Sequence, residues 1–301
     1  MFFKNATYYS LGSMGITTEQ LHEKLAARPF MPCGASDMET RGWVSPTGDD
    51  RMALDVNGHV LICLMIERKL LPGPVVNEQA AEKAKLIEQQ QGYKVGRKQL
   101  KEIKEFVAVE LMAKAFTRKR KLFAWIDTNN LRLVIDTPSD RHAEDVLNAL
   151  RDSLDVFPVK MLRTALSPVS VMTAWLAAGE ASGAFTIDRD CKLSAVTDER
   201  ATVRYTHHEL DGKDVQDHLA AGKLPETLGL TFDDRVSFVL TEKGKLNRLA
   251  FLDAIKEEVA QKAESQDMQA EADFAIMSGE LSRVLDGVIA ALGGIQHDPI
   301  F

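Results

Sequence analysis

The sequence predicts an α+β protein, with mixed sheets and hairpins and several long helices. Three observations predict it. Apolar runs with the two-residue alternation of strands recur along the chain, segments with helical spacing lie between them, and the two kinds alternate without a regular βαβ rhythm. The 301 residues, 45% apolar and 27% charged, can bury a large core in one domain or in two to three lobes. The expected division of this single unit, 1–301, is an α/β lobe from 1–76 with 122–165, a basic helical segment at 77–121, and a second α+β lobe at 166–301.

Residues 2–9 mix aromatic and polar side chains as a strand does. Thr17 can cap a helix, and Gln20 three residues on completes a capping box. That helix should stop before Pro29. Residues 31–50 are rich in Gly, Pro, Ser and Asp and read as loop. Asn57-Gly58 marks a turn ahead of a strongly apolar strand at 59–67. Asn77 is the expected cap of a helix at 78–91, which 92–96 interrupts. From Arg97 the helix resumes, with Leu100, Ile103, Val107 and Leu111 on one face and Arg97, Lys101 and Lys104 on a neighbouring stripe. The runs at 122–127 and 131–136, around an Asn-rich turn, read as a hairpin. Ser139 should cap a helix to 154, and 168–178 should form another. Strands are expected at 185–196 and 201–205, a second hairpin at 236–241 and 246–251, and helices at 253–264 and 272–292.

Charge is segregated. Twelve Lys and Arg fall between Lys83 and Lys121, with only four acidic residues among them, in a chain of net charge −7. An acidic protein does not hold a polyanion through its average field, but a local basic strip can. The candidate contacts are Lys94, Arg97, Lys98, Lys101, Lys104, Lys114, Arg118, Lys119, Arg120 and Lys121. Lys-rich helices are often only solvated faces stabilised by nearby Glu, and Glu102 and Glu105 could pair with Lys98 or Lys101. Arg118 to Lys121 have no acid close in sequence. Helix-turn-helix, zinc-finger and RNP motifs are absent, so nucleic-acid binding should be independent of base sequence.

Other chemistry is weakly represented. Gly222-Lys223 and Gly244-Lys245 lack the rest of a phosphate-binding loop. A metal-dependent nuclease would need convergent carboxylates, for which Asp127, Asp136 and Asp145 are the nearest candidates. Turn chemistry and a helix N-terminus explain those acids more simply. A scaffold whose basic strip meets an acidic protein is a third reading. On a strand, adjacent His207 and His208 would point to opposite faces, so a shared metal is not expected, and a polar loop or exposed strand is the simpler reading. Near Arg204 the pair could instead touch nucleic acid. No catalytic residue, metal or cofactor is assigned. Three distant cysteines, no apolar run of about 18 residues and no signal-like start point to a reducing cytoplasm without a membrane span. Trp43, Trp125 and Trp175 are expected in the core or at an interface.

A wider pattern carries a family resemblance. Its pieces are Phe3-Lys4-Asn5, Pro32-Cys33-Gly34, Gly42-Trp43-Val44 with Pro46, and Leu71-Pro72-x-Pro74-Val75. They continue with Ala115-Phe116-x-Arg118, Trp125-Ile126-Asp127, Ala143-Glu144-Asp145, Leu150-Arg151-x-Ser153-Leu154 and Ala221-Gly222-Lys223. They end with Asp273-Phe274, Met277-x-Gly279-Glu280-Leu281 and Leu292-Gly293-Gly294. In order and spacing the chain resembles the bacterial recombination-associated RdgC family nearly end to end. The resemblance implies a cytoplasmic, nucleoid-associated homodimer of curved subunits, closed into a ring around double-stranded DNA. It implies binding without sequence preference, and single strands are a further candidate partner. It further implies restraint of RecA-driven strand exchange, and no catalysis. Phe116 in Lys114-Ala115-Phe116 matches the family's dimer gate, with Lys for the more usual Arg. A DNA-touching finger falls near 201–209, where this chain departs by carrying Thr206-His207-His208. Neutral histidines would leave that finger little charge.

Overall fold

The first strand, β1 (Asn5–Leu11), ties the molecule together, because both of its edges are paired. The computed structural model describes residues 2–196, 201–252 and 266–296. The helix expected at 253–264 lies outside them. From β1 the chain runs through α1 (Thr18–Ala26), β2 (Glu39–Val44), β3 (Ala53–Val56) and β4 (His59–Lys69). A helical hairpin follows, α2 (Gly73–Gln91) and α3 (Arg97–Lys114). Next come β5 (Thr117–Asp127), β6 (Arg132–Ile135), α4 (Asp140–Ser153), β7 (Val159–Met161) and α5 (Pro168–Ala178). The remainder is β8 (Phe185–Ala195), β9 (Thr202–Tyr205), α6 (Lys213–Ala220), β10 (Lys223–Phe232), β11 (Val236–Thr241), β12 (Leu246–Phe251) and α7 (Gln266–Ala291).

The twelve strands form one sheet in the order β2-β4-β5-β6-β1-β12-β11-β10-β8-β9, with β3 added to β4 and β7 to β1. Every ladder is antiparallel. With seven helices among the described residues, the class is the expected α+β.

Strand alternation divides the core. On one face of the β4–β5–β6 region, Ile62, Leu64, Leu122, Ala124, Ile126 and Leu133 pack against Leu21 and Leu25 of α1 and Val146, Leu147 and Leu150 of α4. On the other face Leu61, Trp125 and Val134 join Phe274, Met277, Leu281 and Val284 of α7. The same cluster reaches Phe238 and Leu240 of β11, so α7 bridges both halves of the sheet. The helical hairpin has its own small core of Ala80, Ala84, Ile103 and Val107.

Several local expectations hold. Thr17 and Gln20 form the reciprocal capping box. Ser139 caps α4 by accepting from the His142 N–H. Trp43, Trp125 and Trp175 are core residues, and Cys63 is a fully buried thiol pushed up to about 12 by burial.

Three expectations are corrected. The supposed loop at 31–50 contains β2, which pairs Gly42 with Met65 and Trp43 with Leu64. Gly42 is required there, since a Cβ would sit 2.5 Å from Phe30 backbone atoms. Helix α2 begins at Gly73 rather than after Asn77, because Pro74 suits a first turn, where no N–H is needed. Strand β5 begins at Thr117 rather than Leu122, because β4 extends to Lys69 and pairs it with Thr117. His207 and His208 follow β9 outside any strand, which is the polar-loop alternative for the pair.

Candidate nucleic-acid interface

Helix α3 separates its two chemistries by rotation. Ile103 and Val107 are buried against α2, with Leu100 and Leu111 flanking them. Arg97, Lys98 and Lys101 are exposed and Lys104 is half-buried on the remaining surface. Eighteen residues give this cationic edge a length of roughly 27 Å. Lys101 meets Glu105 at 3.7 Å, the helix-surface pairing anticipated for this stretch. Lys83 on α2 pairs with Glu110 at 2.5 Å and lies 4.5 Å from the Phe106 ring centroid.

The hairpin is fastened to the sheet where it leaves and rejoins it. Leu70 N–H donates to the Phe116 carbonyl at 2.8 Å. Buried Lys69 donates from Nζ to the carbonyls of Ala35 and Met112, both at 2.8 Å. Met112 is near the C-terminal end of α3, where carbonyls lack helical partners and a cation is favoured. Between these ties Phe116 is 86% exposed.

Strand β5 then splits the run from Arg118 to Lys121. Its residues alternate, so Arg118 and Arg120 lie on the face covered by α4, while Lys119 and Lys121 lie on the Trp125 face. Lys119 sits opposite Glu67, with Nζ 3.9 Å from its carboxylate and 5.4 Å from the Phe30 ring centroid. The Cys33 N–H, then Thr117, then Lys119 and Lys69 hold the Glu67 carboxyl below its ordinary range. Arg120 reaches Nδ1 of His142 at 3.2 Å. Burial first, then Arg120, hold that imidazole below its usual value. What looks like one block in sequence is therefore two pairs on opposite faces.

Arg204 lies far from this region. Its strand β9 is the opposite edge of the sheet, seven strand spacings from β5, or roughly 34 Å along the sheet. It faces Lys192 across the β8–β9 ladder. Lys192 pairs with Glu226, and Arg248 approaches Asp190 at 3.8 Å. His207 adopts a positive φ of 52° and donates its N–H to Asp190. His208 lies 3.8 Å from Asp214 and its ring centroid is 5.1 Å from that of Tyr205.

The three candidate carboxylates do not converge. Asp127 is fully buried and accepts from the Asn129 and Asn130 N–H groups and the Asn130 amide, closing the β5–β6 turn. Asp136 lies at the other end of that hairpin, where its N–H donates to Phe123, and its carboxylate accepts the Lys4 and Asn5 N–H groups. Asp145 pairs with Arg41 at 3.0 Å. Among the described residues no group of His, Cys, Asp and Glu side chains could hold a metal.

Sequence reading missed Arg68 and Arg141. Arg68 is the cross-strand partner of Arg118, and Arg141 joins both along a cavity beneath the hairpin. The extension of β4 beyond Glu67 is the signal that could have found Arg68, since it continues the two-residue alternation.

A family model described as "Putative exonuclease, RdgC" matches residues 1–295. Among curated relatives, a "Recombination-associated protein RdgC" from Dechloromonas aromatica is 47% identical over 98% of each chain. Proteins of the same name from Herminiimonas arsenicoxydans and Janthinobacterium are 43% and 42% identical, each match covering 98% of this chain and 98–99% of the relative. On a match of this extent, the chain belongs to the RdgC family.

Proposed function

We propose that this protein binds double-stranded DNA, and single strands also, without regard to sequence, through the cations of α3 and β5. One observation carries the reading. Lys94, Arg97, Lys98, Lys104, Lys114, Arg118, Arg120 and Lys121 have no carboxylate at ion-pair distance among the described residues. In an acidic chain such uncompensated cations are available to phosphates, and each contact would release counterions. Lys101 and Lys119, whose acidic partners are 3.7 and 3.9 Å away, complete the surface. His207 and His208 contribute less, because Asp190 and Asp214 lie beside them, and Arg204 contributes less because it lies across the sheet from this surface.

The protein acts as a homodimer that closes into a ring, with Phe116 at the contact. Support comes from exposed Phe106, Val109 and Phe116, which a lone subunit leaves in water beside the cations. By occupying DNA in the nucleoid it restrains RecA-dependent strand exchange, a role consistent with the recombination-associated name of its relatives. It performs no phosphodiester hydrolysis, a reading supported by the separation of Asp127, Asp136 and Asp145. No helix among the described residues is long and apolar enough to cross a membrane, in keeping with a cytoplasmic site of action.

The test is a salt-controlled titration of two unrelated duplexes with the Arg118→Glu, Lys119→Glu, Lys121→Glu variant. Equal loss on both duplexes, with a salt slope shallower by roughly 2–3, is expected. Unchanged binding rejects the reading. Incubation with linear and circular DNA and magnesium tests the absence of hydrolysis, and shortened or nicked products would refute it.

A further inference from the structure

Beneath the hairpin, a cavity of about 430 Å³ is lined by arginines from three elements: Arg68 of β4, Arg118 and Arg120 of β5, and Arg141 of α4. Two acids also line it, Glu39 and Asp145. Both are already engaged by Arg41, which donates to Glu39 at 2.7 Å and to Asp145 at 3.0 Å. Arg141 reaches Glu39 only at 3.9 Å. Arg68, Arg118 and Arg120 have no carboxylate at ion-pair distance among the described residues.

Register makes this arrangement costly when empty. Arg68 and Arg118 are directly opposed on neighbouring strands, where like charges repel. Arg120 donates to His142, whose ring is held toward its neutral, accepting form by burial and by Arg120 itself. Lys69 also lines the cavity, with its Nζ turned to the Ala35 and Met112 carbonyls, and Ile66, Leu71 and Pro72 form an apolar part of the wall. Guanidinium forks match the oxygens of a phosphate by paired hydrogen bonds, and a dianion would relieve the Arg68–Arg118 repulsion.

We infer that this cavity is a discrete site for a phosphate monoester carried on an organic body, either a free nucleotide or the 5′-phosphorylated end of a DNA strand. The phosphate sits among Arg68, Arg118, Arg120 and Arg141, and the apolar wall takes part of the attached body. Internal phosphodiesters carry one charge on two free oxygens, against nearly two charges on three free oxygens for a terminal monoester, so they fit less well. The site shares Arg118 and Arg120 with the proposed DNA surface and adds Arg68 and Arg141, on the face toward α4 opposite Lys119 and Lys121.

The experiment uses the full chain and compares oligonucleotides with 5′-phosphate and 5′-hydroxyl ends, with inorganic phosphate and adenosine monophosphate as competitors. Wild type should prefer the 5′-phosphate by roughly tenfold, as charge-assisted hydrogen bonds imply. Arg68→Gln and Arg141→Gln should abolish that preference while retaining binding to a circular duplex. Lys121→Gln should weaken the circular duplex and keep the preference. Selective competition by adenosine monophosphate assigns the site to free nucleotide. Preference for the phosphorylated end without such competition assigns it to DNA ends. Equal affinity for both ends, with no competition, overturns the inference and leaves the general DNA reading intact. Equal loss for all ligands in Arg68→Gln, in a variant with a native unfolding transition, overturns it in favour of an undivided lining. A changed molar mass without changed phosphate binding overturns it in favour of a contact between copies.

Discussion

Two regions of this molecule differ both in how many cations they carry and in what surrounds those cations. Around α3 and β5, most Lys and Arg have no acid within reach. Around β8 and β9, Arg189 pairs with Glu209, Lys192 with Glu226, and Arg248 with Asp190. A cation neutralised by a neighbouring carboxylate has little left for a phosphate, since binding would first have to break that pair. Under the proposed function, the capacity to hold DNA would depend on compensation as well as on the count of basic residues.

Several experiments would break or sharpen this contrast. The largest effect is expected from reversing charge in the first region. The Lys98→Glu, Lys101→Glu, Lys104→Glu variant should weaken duplex binding by about a hundredfold or more near physiological salt. Reversing Lys192, Arg204 and Arg248 in the second region should change it by about threefold or less. Anisotropy titrations at matched ionic strength would decide, and equal losses would erase the distinction.

A smaller effect concerns how the first region is held. Lys69→Met removes the donor to Ala35 and Met112 carbonyls. A cost of about 1–3 kcal/mol in denaturant unfolding is expected, with faster amide exchange near the end of α3. An unchanged midpoint would show that the hairpin is fixed by other contacts.

The next effect is on acid stability. Glu67 has a carboxyl depressed below its ordinary value of 4.5, first by the Cys33 N–H and then by Thr117. Its contribution is present above that ordinary value and is lost as pH falls through the depressed one. Asp136 has the opposite sign, because burial raises it above 3.8, so its contribution declines as pH rises through the interval. Glu67→Gln should flatten the acid limb of the stability profile, while Asp136→Asn should steepen it. Thermal unfolding followed from pH 6 to pH 3 measures both slopes.

The smallest effect on stability is expected at Phe116. Because its ring is 86% exposed, Phe116→Ala should alter unfolding by only about 0.5 kcal/mol. The molar mass measured by light scattering should nonetheless fall toward one subunit. A large loss of stability with unchanged mass would place the ring inside the subunit's own packing.

Much of the fold is legible locally. Thr17 and Gln20 announce their capping box, and Ser139 caps α4 as its sequence suggests. The hairpins at β5–β6 and β11–β12 also follow from alternation around short turns. Strand β10 escaped because Pro225 and Gly229 interrupt its pattern, and the ladder to β8 absorbs them through register shifts. Strand β2 escaped because its residues look like loop until β4 supplies a partner. At the candidate surface the cations of α3 were legible from their spacing, whereas Arg68 and Arg141 were not.

The chain alone determined the caps at Thr17 and Ser139, which side of α3 is apolar, and that positive charge gathers between Lys83 and Lys121. Those properties depend on residues within a turn or two of one another. Only the tertiary structure decided that Arg118 and Arg120 part from Lys119 and Lys121 onto different packed faces. It also decided that Arg68 opposes Arg118, that Arg41 occupies the acids beside them, and that Arg204 lies across the sheet. Strand register and charge compensation join residues tens to more than a hundred positions apart, so no local pattern can encode them visibly.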